Sequence, residues 1–490
     1  MESLLRTESP RQTLPCIPTS AAEGGTPRAA SRFTGQHVHL IGIGGCGMSG
    51  LARMLVDAGA IVTGSEPNLN TQTCELANRG VMISGNQIGE LIRDDTDLVV
   101  RTAAVPDSNV EFCVARRKGI ATVKYAELLG QVMAERRGIA VAGTHGKSTT
   151  TAMIAFALAE CGADPSFVVG GTVPQLGGSG SRSGASDLFV AEACEFDRSF
   201  HALRPKVALL LNIEEDHLDC YKNIDDINES FRTFAKLVPP APDGLIIANG
   251  RDANVAKVIA GLPARVETVS LAPGTTWSTC PSGIGGDGFP TGAVWRNGEP
   301  VGMLRLRVAG EHNLMNATMA LAACAAAGLK AEDALEALGR FTGVDRRMTL
   351  MGHFNGGATV VDDYGHHPTE IRATLAALRQ RYNPKRLICV FQPHQHSRTR
   401  FLLEDFATSF AAADETIVPD IYFVRDSEEE RHAVSSNDLV ERIRRNGHQA
   451  LHLATFEQIV EHLKREARDG DLVVTMGAGN VWEIGRELVS

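Results

Sequence analysis

Short apolar runs recur along the chain, and almost every one stops at glycines or at a cluster of polar side chains. His37-Val-His-Leu-Ile41, Ile61-Val-Thr-Gly64, Leu98-Val-Val100 and Ala121-Thr-Val123 read as strands of a small parallel sheet. The stretch Met48 to Asp57 is an amphipathic helix ended by Gly59. A second set comprises Ile139 to Ala142, Asp187 to Ala191 and Val207 to Leu211, with Ser148 to Cys161 as a helix and Gly162 as its C-cap. From Thr268 to Gly310 the texture turns to Gly, Thr, Ser and alternating apolar residues, an antiparallel excursion at the domain edge. An alanine-rich helix, Ala317 to Ala327, follows. The third set is Thr359-Val-Val361, Arg386 to Phe391 and Asp471-Leu-Val-Val-Thr475, with Pro368 at a favoured first helical position. The pattern predicts an α/β protein whose chemistry collects where parallel strands stop.

Length and charge narrow the class. The 490 residues exceed one core and predict about three domains. A formal charge of −10 without a basic block argues against nucleic-acid and anionic-membrane partners. No apolar run approaches the ~20 residues that span a bilayer, so no membrane insertion is expected. The ten cysteines lie scattered, in no metal-binding spacing, as expected of reduced thiols in a cytoplasmic protein. Residues 1–34, rich in Ser, Thr, Pro, Gly and Arg, are expected to form a disordered tail.

Two glycine turns stand out. Gly143-Thr-His-Gly-Lys-Ser-Thr-Thr-Thr151 joins a strand to a helix, the arrangement that wraps a polyphosphate. Lys147 adds a mobile charge and Ser148 a hydroxyl for Mg²⁺. The full phosphate-loop pattern is shortened, with Val141 at its first glycine position. We read the turn as an ATP site. Earlier, Gly42-Ile-Gly44-Gly-Cys-Gly47 follows a strand, and Glu66 lies just past the next one. This fulfils a dinucleotide fingerprint, which suits an NAD-dependent oxidoreductase or a sugar-nucleotide diphosphate equally well.

Polar clusters sit at the other strand ends. Glu192, Glu195 and Asp197 follow one strand, and Asn212-Ile-Glu-Glu-Asp-His217 another. Carboxylate, imidazole and the Ser148 hydroxyl make a reasonable hard-cation shell beside ATP. His312, Asn313 and Asn316 lie within one turn, as helix caps or as contacts to adenine or ribose. In the third set, Asp362-Asp-Tyr-Gly-His-His367 and Gln392-Pro-His-Gln-His-Ser-Arg398 suit a carboxylate-bearing substrate. Alternatively, His366, His367, His394 and His396 are zinc ligands.

The blocks HLIGIGGCGMSGLA, AGTHGKSTTT, AEACEFD, NIEEDHLD, GEHNLMNA, FTGVDRR, VDDYGHHPTEI, FQPH and MGAGNVWEIG resemble, in order, those of the Mur ligases. The likeness runs across nearly all of the chain after position 35, and it is strongest to members that join L-alanine to UDP-N-acetylmuramate. It implies a Rossmann-like UDP-sugar domain at 35–136, a central P-loop ATPase-like parallel sheet with a β-rich excursion at 137–344, and a Rossmann-like amino-acid-binding domain at 345–490. The implied reaction consumes ATP with Mg²⁺ through an acyl phosphate, giving ADP and phosphate in peptidoglycan precursor synthesis.

The resemblance implies site residues too. Gly143, Thr144, His145, Gly146, Lys147, Ser148, Thr149, His312, Asn313, Asn316 and Arg347 would bind ATP, and Ser148, Glu192 and His217 the metal. Gly44, Gly45, Gly47, Met48, Ser49 and Ser65 would face the UDP-sugar. Asp363, Tyr364, His394 and Arg398 would form the amino-acid site, with Lys147, His217, His366 and Arg398 catalytic and Arg346 and Arg347 at the hinge. The chain departs from the family pattern at several places. Gln395-His396 replaces Arg-Tyr after FQPH, which removes a guanidinium while Arg398 remains. Ser65-Glu66 replaces Ser-Asp, Gly85-Asn86 replaces Gly-His, and the loop from Ile421 to Val434 differs. Competing readings are ligation of a recycled tripeptide to the same sugar, an NAD-dependent oxidoreductase, or a non-catalytic nucleotide-binding regulator. Monomer and dimer stay equally open.

Overall fold

The structure is a computed structural model that describes residues 31–102 and 104–490. Three sheets organise it. The first has strands β1 (His37–Ile41), β2 (Ile61–Ser65), β3 (Met82–Ser84), β4 (Leu98–Arg101) and β5 (Ala121–Lys124), all parallel in the order β3-β2-β1-β4-β5. The chain therefore reverses direction of growth beside β1, and the Gly42–Gly47 turn follows that strand.

The second sheet has ten strands. They are β6 (Arg137–Ala142), β7 (Ser166–Val173), β8 (Ser179–Arg182), β9 (Leu188–Glu192), β10 (Val207–Leu210), β11 (Leu245–Asn249), β12 (Arg265–Ser270), β13 (Trp277–Ile284), β14 (Pro290–Arg296) and β15 (Glu299–Arg305). Strand β6 lies between β9 and β10, parallel to both, so Ala142, Glu192 and Leu210 end at one edge. The expected excursion is the antiparallel ribbon β13-β14-β15. The third sheet has the order β16-β17-β21-β18-β19-β20, built from β16 (Thr349–Phe354), β17 (Ala358–Asp363), β18 (Arg386–Phe391), β19 (Glu415–Val418), β20 (Ala450–His452) and β21 (Asp471–Met476). The register pairs Met476 with both Asp363 and Phe391, so the polar segments after these strands emerge together.

The first two sheets share a core. Leu128, Leu129, Val132 and Met133 of the helix Tyr125–Ala134 pack in one cluster with Leu51 of the first unit and Phe200, Phe231 and Phe234 of the second. The third sheet has its own two apolar layers, one on each face. It meets the central unit through Ala309 and Phe289, which join the first of these layers, and through the polar contacts described below.

The tail expectation holds no description for residues 1–30, which lie outside the described residues, and it fails for 31–34. Phe33 is fully buried in the shared core, Ser31 Oγ donates to Glu135 at 2.8 Å, and Thr34 Oγ1 donates to the Ala58 carbonyl. An aromatic ring with a core to enter outweighs the polar composition around it. The described cysteines are all free, and among the described residues no helix is long and apolar enough to cross a membrane.

Phe200 stacks on Phe234 at 4.9 Å and meets Phe231 edge-on at 5.2 Å. Phe200→Ala should cost about 3–5 kcal/mol. Calorimetry should then show a lower melting temperature, with the first two units still unfolding in one transition because they share that core.

Candidate functional site

The Gly143–Ser148 turn sits between the ends of β9 and β10, where parallel strands leave a crevice. Gly146 has φ +82°, and a Cβ there would come within 2.7 Å of Asn316 Oδ1. Glycine is thus needed for conformation and for space. The helix Lys147–Glu160 starts at once, its first amides facing the crevice. Lys147 Nζ donates to the Gly143 carbonyl at 2.6 Å, the Thr144 carbonyl at 3.1 Å and Glu195 Oε1 at 2.8 Å. Burial works against its charge, but Glu195 more than offsets this and raises its pKa.

Three cavities run through this region. One is lined by His145, Ser148, Thr149, His312, Asn313, Asn316 and Arg347, so the expected nucleotide residues come together. The middle one holds Thr144, Lys147, Glu192, His217, Tyr364, His366, His394 and Arg398. It shares Gly146, Ser148 and Arg347 with the first. The third is lined by Gly45, Gly47, Met48, Thr102 and Tyr125, and shares Gly170, Glu192 and Cys194 with the middle one. The two glycine turns therefore open onto the two ends of one path. Gly47 is tied to it sterically, since a Cβ there would lie 2.5 Å from the Tyr125 hydroxyl.

Charged groups close the seam between the second and third sheets. His145 lies between Glu370 Oε1 at 3.2 Å and Glu214 Oε2 at 3.5 Å. Burial opposes its protonation, but the two carboxylates beside it raise its pKa to about 9. The same contact with His145 lowers Glu214 to about 2. Thr369 Oγ1 donates to Glu214 at 2.7 Å, and His367 Nε2 donates to the Glu215 carbonyl at 3.1 Å. Arg398 Nε donates to Asp216 at 3.0 Å, with both side chains buried. Burial alone would raise Asp216, yet Arg398 holds it well below the usual carboxylate range.

Several expected site residues stand elsewhere. Ser65 is fully buried with its hydroxyl donating to Glu111, and Ser49 is fully buried with its hydroxyl on the Cys46 carbonyl at 3.0 Å. Neither side chain reaches the cavity beside the first glycine turn, because strand β2 and the first helix turn these positions into the core. Gly44 is buried too, and its N–H donates to Glu66 at 3.1 Å. Asp363, expected with the amino-acid group, lines the cavity of His312, Asn313 and Asn316 instead. Its carboxylate accepts from the Met348 and Gly365 amides, both at 2.8 Å, and burial raises its pKa to about 6. Arg398 lines the middle cavity, but Asp216 already neutralises it.

The zinc alternative finds no support in the geometry: among the described residues His366, His367, His394 and His396 form no compact ligand group with one another. Among the described residues, the one compact group with metal-ligand spacing is His145, Glu214 and His367. Sequence reasoning assigned no role to Glu214, Asp216 or Glu370. As acids at a strand end or in a first helical turn they carry no signal until the third unit is seated on them.

Three family models match the chain: the Mur ligase family catalytic domain over residues 37–137, the Mur ligase middle domain over 141–324 and the Mur ligase glutamate ligase domain over 346–479. A UDP-N-acetylmuramate–L-alanine ligase of Caldanaerobacter subterraneus subsp. tengcongensis is 43% identical over 455 residues, 93% of this chain and 97% of that protein. One from Acetivibrio thermocellus is 41% identical over 452 residues, 92% and 95% of the two chains. Among solved structures, the UDP-N-acetylmuramate-alanine ligase of Thermotoga maritima aligns with TM-score 0.74 at 25% identity, covering 92% of this chain and 98% of that one. A murein peptide ligase of Psychrobacter arcticus aligns with TM-score 0.66 at 27% identity, covering 93% and 98%.

The His145 contacts carry a pH signature. Its folded pKa of about 9 lies above the unfolded ~6.5, so its stabilisation is complete below ~6.5 and fades as pH rises through about 9. The melting-temperature gap between wild type and His145→Gln should be widest near pH ~6 and close by pH ~10.

Proposed function

The chain belongs to the Mur ligase family, and from that premise we propose that it joins L-alanine to the carboxylate of UDP-N-acetylmuramate. ATP is converted to ADP and phosphate, as a cytoplasmic step of peptidoglycan precursor synthesis. The observation that supports this reading is that the three cavities share lining residues, with the Gly42–Gly47 turn at one end and the Gly143–Ser148 turn towards the other. Ligation of a recycled tripeptide has less support, since relatives at 43% and 41% identity are named for L-alanine. The oxidoreductase reading of the first turn gives way to the family.

A divalent cation fits the middle cavity. Ser148 offers a hydroxyl, Glu192 a carboxylate and His217 an imidazole, and the buried Glu195 Oε2 has no hydrogen-bond partner among the described residues. Oxygen-rich donors of this kind suit Mg²⁺. When bound, Mg²⁺ would neutralise charge on the transferring phosphoryl group.

Lys147 and Arg347 would hold the triphosphate, with His312, Asn313 and Asn316 around the nucleoside. A carboxylate oxygen of the sugar acid attacks the γ-phosphorus, and the bond to ADP breaks. The alanine nitrogen then attacks the acyl carbon, and the C–O bond to phosphate breaks with its electron pair leaving on phosphate. The nitrogen must lose a proton. His366 stands where it could receive it: its Nδ1 donates to the Tyr364 carbonyl at 3.1 Å, leaving Nε2 as the acceptor, although burial lowers its pKa to about 4 and so keeps it neutral but weakly basic at pH 7. The seated third unit keeps water from the acyl phosphate.

Lys147→Ala should lower ADP release at least ~100-fold while leaving UDP-N-acetylmuramate binding intact by calorimetric titration. Near wild-type turnover would refute the assignment of this loop. Phosphate release with UDP-N-acetylmuramate and each amino acid offered singly should peak at L-alanine and exceed that with the tripeptide.

A further inference from the structure

A charge census of the middle cavity leaves one cation over. Lys147 is paired with Glu195 at 2.8 Å, Arg346 with Asp362 at 3.0 Å, Arg398 with Asp216 at 3.0 Å, and Arg347 lies 3.9 Å from Glu370. Arg425 also lines this cavity, and among the described residues it has no carboxylate partner. Its guanidinium lies over the Phe196 ring, 4.6 Å from the centroid, and Phe196 lies 5.2 Å from the His217 ring. A third-unit cation therefore rests on the central unit beside the predicted reaction centre.

The loop that carries Arg425 is fastened to the strand-end segment on the same wall. The Gln395 amide donates to the Tyr422 carbonyl at 3.1 Å, and the Tyr422 amide donates to the Pro393 carbonyl at 2.9 Å. Next to Arg425, the buried Asp426 carboxylate accepts from the His396 amide at 2.5 Å and from Ser397 Oγ at 2.6 Å. Arg425 itself has φ +60°, a left-handed conformation that a non-glycine residue holds only when its surroundings impose it. Gln395, neutral and buried, lines the wall beside it.

We propose that Arg425 is the specificity-determining cation that receives the α-carboxylate of the incoming amino acid. A planar guanidinium matches a carboxylate in two parallel hydrogen bonds, and an unpaired one is free to make them. The anchored loop supplies the charge that Gln395 cannot and that Arg398 spends on Asp216. This inference rests on the alanine-ligating reading above.

Steady-state phosphate release tests both separately. Arg425→Gln should raise the KM for L-alanine about 10- to 100-fold, as loss of a charge-assisted pair does, with the KM for ATP and for UDP-N-acetylmuramate within about twofold of wild type. L-Alaninamide, which lacks the carboxylate, supplies a readout that a structural role would not move. Wild type should prefer L-alanine to it strongly, and the variant should lose most of that preference. An unchanged KM for L-alanine, or a variant that still discriminates as wild type does, overturns the inference alone. A wild type that releases no phosphate with L-alanine overturns the parent reading, and this inference with it.

Discussion

Charged pairs across the seam between the second and third sheets set the register of the working arrangement. His145 between Glu214 and Glu370, and Asp216 against Arg398, take ionised groups out of water on both sides of the seam. Such pairs recover their desolvation cost only when geometry is good, so their net worth is small, while loss of one partner is expensive. The first and second sheets are joined differently, by a continuous apolar core that no exchange of water for ion pairs can reverse. One union is therefore mainly apolar and the other rests in large part on charge. That division suits a reaction that must admit substrates and then exclude water.

The hinge fits the same logic. Arg346 and Met348 have φ of 60° and 49°, left-handed values for non-glycine side chains. Each such residue costs on the order of 1–3 kcal/mol unless its neighbours impose it. Here they do: Arg346 reaches Asp362 and the Gly477 carbonyl, and the Met348 amide donates to Asp363. The strand ends that shape the middle cavity thus also fix the backbone that links the third unit to the second.

Local chemistry was legible in the chain, and long-range chemistry was not. Glycines after apolar runs announced both turns that open onto the cavities, because the reason for glycine there is local: a left-handed φ at Gly146, close approach at Gly47. Strand ends announced Glu192, His217, Tyr364 and His394 as cavity residues. Position in sequence misjudged Ser49 and Ser65, whose orientation depends on which face of an element meets the core. It misjudged Asp363, which serves backbone amides of the hinge, and Phe33, whose pocket is built by residues far along the chain. Glu370 and Asp216 gain meaning only across a seam between units that no local pattern records.

The shared core has a consequence for dissecting the molecule. An excised fragment ending at the helix Tyr125–Ala134 would carry Leu128, Leu129, Val132 and Met133 uncovered, an adhesive stripe with no partner. A split at the strained turn around Arg346 would instead uncover only Ala309 and Phe289 of the central unit beside the polar contacts of the seam. The first two sheets are thus better kept in one fragment.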